Sequence, residues 1–249
     1  MKLKNCISKG NLKSVYVEGG KAIKVFDKKY NKSDVLYEAL NTARVEDAGA
    51  EVPKLLSVDV IDGQWAITSE FIEGKTLKQL MQENPRKMDS YLNKMVDLQI
   101  SIHSHTNHLL VKLKDKLTRQ INELDCIDEA DKYELLTHLA RMPKHVKLLH
   151  GDFSPENIIV TEKGKLVAVD WVHATQGNAS ADVARTYLLL ALDDIKVADK
   201  YLAKFCEKTG TAQKYVQEWL PIVAAAQLEK KRPEEKELLE KWIAIGDFM

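Results

Sequence analysis

His150-Gly151-Asp152-Phe153-Ser154-Pro155-Glu156-Asn157, with Asp170-Trp171 following thirteen positions after Asn157, is the stretch on which the reading of this chain turns. Short apolar β segments follow it, Asn157 to Val160 and Lys165 to Val169, separated by the turn residues Glu162-Lys163-Gly164. A hairpin returns the chain to its starting edge. Asn157 at its opening and Asp170 at its close therefore converge. Two oxygen donors at a loop mouth suit magnesium, which keeps several waters and takes its remaining ligands from substrate phosphates. Asp152 stands outside that pair, free to orient an incoming hydroxyl and accept its proton.

Upstream, the first seventy or so residues alternate as strands and turns. Val15 and Val17 lead into a Gly19-Gly20 turn, and Ala22 to Phe26 returns as a second strand. A helix is expected from Ser33, as N-cap, to about Asp47, with Leu36, Leu40 and Ala43 at helical spacing and Gly49 beyond its end. Val52-Pro53 opens a second β region, Lys54 to Ile61 and Trp65 to Phe71 around Asp62-Gly63. Glu73-Gly74-Lys75 reads as a connector and Thr76 as the next N-cap. From there to Lys147 the period is helical, with stripes at Leu92, Met95, Leu98, Ile102 and at Leu113, Leu117, Ile121, Leu124. After Asp170 the chain is helical again, interrupted at Pro221 and restarted at Pro233. The expected organisation is α+β: a small antiparallel β lobe, residues 1–73, and a larger mainly helical lobe, residues 74–249, containing one β island.

Within the small lobe, Lys24 lies in Ala22-Ile23-Lys24, a strand in which residues 22 and 24 share one face and Ile23 and Val25 the other. A lysine there is either a snorkelling surface side chain or a cation placed in a cleft.

The HGDxxxxN stretch, its following strand and the Asp-aromatic pair resemble the signature of the aminoglycoside phosphotransferase and choline kinase family, relatives of the protein kinases. The resemblance runs from the hairpin at Val15 to the helix at Asp182 and implies a two-lobed, protein-kinase-like fold that uses ATP and Mg²⁺. By it, Asp152 is the catalytic base, Asn157 and Asp170 hold magnesium, and His150 braces the loop. Lys24 grips the α- and β-phosphates and pairs with a helix carboxylate, Glu38 or alternatively Glu46. Glu70 and Ile72 read the adenine edge through their backbone. Gly10 and Ser14, in a phosphate-covering loop without the usual glycines, contact phosphate. Asp182 caps its helix and bonds the backbone of the catalytic loop. The departures from protein kinases point to a small acceptor: Gly151 where most have Arg, Trp171-Val172 for Phe-Gly, and only eleven residues between Asp170 and Asp182.

Composition narrows the classes further. Lys plus Arg and Asp plus Glu are 37 each, so no global field draws the chain to nucleic acid or membrane. No apolar run approaches the roughly 18 residues of a bilayer span, and Met1 to Cys6 has no h-region. Cys6, Cys126 and Cys206 are isolated, as expected of reduced thiols in a cytoplasmic protein. His103, His105 and His108 lack a completing carboxylate or thiol at ligand spacing and read as capping or surface residues. Glu229 to Glu240 mixes charge signs and reads as a solvated helical face, and Asp193, Asp194, Glu234 and Glu235 as helix surface. Trp171, Trp219 and Trp242 read as core rather than as a cage for a quaternary amine. The leading expectation is transfer of a phosphoryl group to a hydroxyl of a small molecule, aminoglycoside-like, amino alcohol or sugar. A compact atypical protein kinase and a silent nucleotide-binding scaffold are the rival readings.

Overall fold

A computed structural model describes residues 3–244; the outermost ends of the two expected lobes lie outside those residues. The chain begins with β1 (Cys6–Lys9), β2 (Lys13–Glu18) and β3 (Lys21–Phe26), continues through α1 (Lys32–Asp47), and returns as β4 (Leu55–Ile61) and β5 (Gln64–Glu70). These five strands form one antiparallel sheet in the order β1-β2-β3-β5-β4. Gly19 and Gly20 both take positive φ, 56° and 75°, which is what a two-residue hairpin turn matched to sheet twist requires. The outer strand β1 was not foreseen.

Pairing puts Lys24 opposite Val15 on one side and Ile67 on the other. Ile23 and Val25 face away from it and pack with Ala66, whereas Phe26 and Ile67 pack with Val35 and Ala39 of α1. Helix α1 therefore lies on the same sheet face as Lys24. Its buried side differs from the expected stripe. Leu36 and Leu40 are 43% and 46% exposed, and the buried residues are Val35, Glu38, Ala39, Asn41 and Val45. The reason is polar. Glu38 is needed against the sheet lysines, and the Asn41 amide donates to the Val172 carbonyl at 2.9 Å, so the leucines are turned outward. The helix also starts one residue before Ser33, with Asn31 as N-cap and no side-chain cap bond.

The chain leaves the sheet through β6 (Lys75–Thr76), where Thr76 forms a capping box with Gln79 at the head of α2 (Leu77–Glu83), an arrangement worth about 1 kcal/mol. Then follow α3 (Met88–Ile102), α4 (Leu113–Asn122), α5 (Glu129–Arg141), β7 (Lys147–Leu149), β8 (Ile158–Val160), β9 (Leu166–Ala168) and β10 (Thr175–Gly177). The β island is thus two small sheets, β6-β8-β9 and β10-β7, set against the helices. The chain ends with α6 (Ala179–Asp193), α7 (Ile195–Thr209), α8 (Gln213–Gln217), α9 (Leu220–Leu228) and α10 (Pro233–Ala244). Pro221 occupies the first turn of α9, where its missing N–H costs no helical bond, rather than kinking a longer helix. Helix α9 is buried from Pro221 to Leu228 and forms the centre of the lobe with α6, α4 and α10. Trp171, Trp219 and Trp242 are all core residues. The Glu229–Glu240 run is not wholly solvated: Glu235 is buried, accepting from Gln227 at 2.5 Å and Arg232 at 2.8 Å.

Candidate active site

A cavity of about 370 Å³ separates the five-stranded sheet from the small sheets, lined by Val15, Ala22, Lys24, Glu38, Ile67, Glu70, Ile72, Asn157 and Asp170 among others. Lys24 Nζ sits 2.5 Å from Glu38 and 3.1 Å from Asp170, joining the strand, the helix and the hairpin through one ammonium. Burial disfavours that charge, but the carboxylates of Asp170 and Glu38 outweigh it and hold the lysine pKa above its ordinary value. Glu38 is also 3.0 Å from Lys13, which sequence reasoning missed. Strand alternation is the signal for it: Lys13 shares the face of Val15. Glu46, the alternative partner, instead accepts from the Leu55 amide at 3.1 Å.

Gly10 and Ser14 are not brought to the cavity. Gly10 closes the β1–β2 turn, its N–H donating to the Lys13 carbonyl at 2.8 Å. Ser14 pairs with Val25 and falls on the outer sheet face, opposite to Val15. Glu70 and Ile72 do line the cavity, where β5 runs into the connector.

Asp170 has φ of 65°, a left-handed conformation uncommon for a residue with a side chain, at the end of β9. Burial raises its pKa, yet Lys24 and Lys13 overcome this and keep the carboxyl below its usual range, hence ionised. Asn157 is the last residue of a short 3₁₀ turn that precedes β8. Its amide nitrogen donates to the Asp152 carbonyl at 2.9 Å and to the Asp152 carboxylate at 3.2 Å. That orientation commits the NH₂ and leaves the amide oxygen for another partner. An ionised carboxylate and a free amide oxygen are the hard donors that magnesium takes, so the residues present fit that ion.

The loop carrying Asp152 is held from behind. His150 is buried, with Nε2 3.1 Å from the Val169 carbonyl and its ring 4.4 Å from that of Trp171; burial pushes its pKa down and keeps it neutral. Asp182 receives the Gly151 N–H at 2.8 Å and, more weakly, that of His150 at 3.4 Å. His103 is the C-cap residue of α3, as a capping role would have it, but it is buried and faces the same carboxylate at 3.0 Å, so it is not a surface histidine. Burial opposes the Asp182 charge, but His103 and the Gly151 amide win and bring its pKa down to about 2. One turn later on α6, Arg185 donates to the Gly151 carbonyl at 3.1 Å and approaches the Asp152 carboxylate at 3.4 Å. Gly151 has φ of 77°, and a Cβ there would collide with the His173 carbonyl oxygen, so only glycine fits between the helix and the Trp171–His173 turn. Asp152 itself is raised by burial and lowered further by Arg185 and Lys230, so it stays an ionised acceptor of protons.

This geometry is accompanied by a clear kinship. The model of the phosphotransferase enzyme family matches residues 7–219. The chain belongs to that family. By that membership it is a phosphotransferase. No curated protein matches it. Among solved structures it is similar to a thermostable mutant of aminoglycoside phosphotransferase APH(4)-Ia, with TM-score 0.72 and 15% identity over 97% of this chain and 93% of that one. It is also similar to choline kinase LicA from Streptococcus pneumoniae, with TM-score 0.66 and 15% identity over 98% and 94% of the two chains. A choline/ethanolamine kinase family protein from Mesorhizobium loti has TM-score 0.64 and 14% identity over 96% and 85%. At such identity these neighbours speak for the fold. The phosphotransferase's described residues include no helix long and apolar enough to cross a membrane.

Proposed function

We propose that the enzyme transfers the γ-phosphoryl group of ATP, with magnesium, to a hydroxyl of a small molecule: aminoglycoside-like, amino alcohol or sugar. The observation that supports this reading is the Lys24 bridge between Glu38 and Asp170, which brings a cation suited to phosphate and a carboxylate suited to a metal to one cavity. In this reading residues 1–73 bind the nucleotide and residues 74–249 supply the catalytic loop and the acceptor site. Lys24 holds the α- and β-phosphates, while Glu70 and Ile72 present backbone groups to the adenine. Asn157 and Asp170 hold magnesium, which supplies charge neutralisation on the phosphates when bound. Asp152 orients the acceptor hydroxyl and takes its proton as the new O–P bond forms. The bond from the γ-phosphorus to the bridging oxygen breaks, and ADP leaves. His150 and Asp182 keep the loop in place. A structural relative crystallised with ADP and hygromycin B supports a nucleotide and a small acceptor sharing such a cleft.

ADP release measured over a panel of aminoglycosides, choline, sugars and nucleosides, charged and uncharged, tests the reading. We expect acceptor-dependent release, and a higher magnesium requirement in Asp170→Ala and Asn157→Ala. Wild-type magnesium titrations in both variants would remove the hairpin from the metal site. Phosphorylation of protein in place of any small molecule would favour the atypical protein kinase reading, and ATP binding without turnover the scaffold.

A further inference from the structure

On the far side of Asp152 from the nucleotide cavity lies a cluster of cations gathered from three separate elements. Lys116 comes from α4, Arg185 from α6, and Lys230 from the turn after α9; all three line a small cavity of about 60 Å³ against Gly151 and His173. Lys230 also lines a larger neighbouring cavity of about 470 Å³ that contains Asp152 itself.

The Asp152 carboxylate does not account for these charges. It is already served by the Asn157 amide at 3.2 Å and by Arg185 at 3.4 Å. Lys230 stands 3.8 Å away, an ion pair without a hydrogen bond, and Lys116 donates, among the described residues, to the His173 carbonyl at 3.4 Å. The nearby acids are taken as well. Asp182 is committed to His103 and the Gly151 amide, Glu235 to Arg232 and Gln227, and Glu229 accepts from Gln120 at 2.5 Å. The crowding registers on the lysines. Burial, then the charge of Arg185, pushes Lys116 down to about 8, and the same causes lower Lys230. Three half-buried cations that repel one another around the single carboxylate of Asp152 are the arrangement expected where a further anion completes the balance.

We infer that the acceptor is itself anionic: a small hydroxylated molecule bearing a phosphate ester or carboxylate that Lys116, Arg185 and Lys230 receive while its hydroxyl lies against Asp152. This rests on the phosphotransfer reading above and narrows it. A cationic substituent would meet repulsion at these three side chains, although Glu156, Asp193 and Asp194 line the larger cavity beyond them, and a sugar or polyol would reach the cluster through an acidic substituent. The lysines bind and position; they take no part in the transfer.

The test is calorimetry on the full chain saturated with AMP-PNP and magnesium, so that the γ-phosphate position is already filled. Inorganic phosphate, acetate and spermidine are titrated separately into wild type and into the variant carrying Lys116→Gln and Lys230→Gln. We expect saturable binding of phosphate or acetate, the tighter of the two identifying the acidic group, and none of spermidine. The double variant should lose at least tenfold in anion affinity and keep its AMP-PNP affinity. Absence of anion binding to wild type, preferential binding of spermidine, or equal anion affinity in the variant overturns the inference. The three wild-type titrations decide the matter even where the variant does not fold. Failure of AMP-PNP to bind would instead count against the phosphotransfer reading itself.

Discussion

The two sides of the cleft handle charge in opposite ways. Toward the β lobe, two lysines face two carboxylates, Lys13 and Lys24 against Glu38 and Asp170, in a closed set of contacts of 2.5 to 3.1 Å. Toward the helical lobe, Lys116, Arg185 and Lys230 surround Asp152 at distances of 3.4 Å or more where they touch it at all. The balanced side suits a ligand that arrives as a metal–phosphate pair and exchanges like for like. The unbalanced side suits one that brings net negative charge. On the proposed reading, the difference separates recognition of the nucleotide from recognition of the acceptor, although both meet at the single loop that carries Asp152.

The sharpest way to break this division is at Asp152. Asp152→Asn keeps the size and the Asn157 contact but removes the charge that takes the proton. We expect kcat to fall by about 10²- to 10⁴-fold, the usual range for a general base, with ATP affinity nearly unchanged. Turnover at the wild-type rate, followed by ADP release on an acceptor that the enzyme uses, would remove Asp152 as the base.

On the balanced side the effect is redundancy. Lys24→Met leaves Glu38 with Lys13, so the melting temperature should barely move while nucleotide binding weakens. The double change of Lys13 and Lys24 to Met strands a carboxylate that is 4% exposed, which should cost about 3 kcal/mol, more than the sum of the singles. Additive losses in urea melts would mean that the two lysines act independently.

The smallest expected effect concerns the support behind both sides. The Asp182 pKa, held at about 2, lies below the ordinary carboxylate value of 3.8, so its contribution is full above about pH 4 and is lost as pH falls through 2. By that linkage Asp182→Asn should be less stable at neutral pH by about 2 kcal/mol, with the deficit against wild type closing between about pH 4 and 2. A deficit independent of pH would show that His103 and the Gly151 amide do not stabilise the ionised form.

The pairing of Lys24 with Glu38 was legible in the sequence because both groups lie on regular elements with local signatures. The Gly19-Gly20 hairpin sets the face of Lys24, and Glu38 follows on the next helix. Even there the leucine spacing of α1 misled: apolar periodicity assumes an oily interface, and this helix packs through Glu38 and Asn41. The cation cluster behind Asp152 was not legible. Lys116, Arg185 and Lys230 are spread over 114 positions, from 116 to 230, each in a stretch without a local signature. Only the burial of α9 turns Lys230 inward beside Asp152. The burial of His103 was missed for a similar reason, since its partner Asp182 is 79 positions away.

The grip of α6 on Gly151 also bears on transplantation. Asp182 takes the amide of that glycine, and Arg185, one helical turn on, takes its carbonyl. A designer wishing to move the Asp152 carboxylate to another scaffold would find the loop alone useless. The smallest portable piece is the loop, the turn of helix from Asp182 to Arg185, and the imidazole of His103 behind them, because the loop has its shape only while both backbone polar groups of one residue are held.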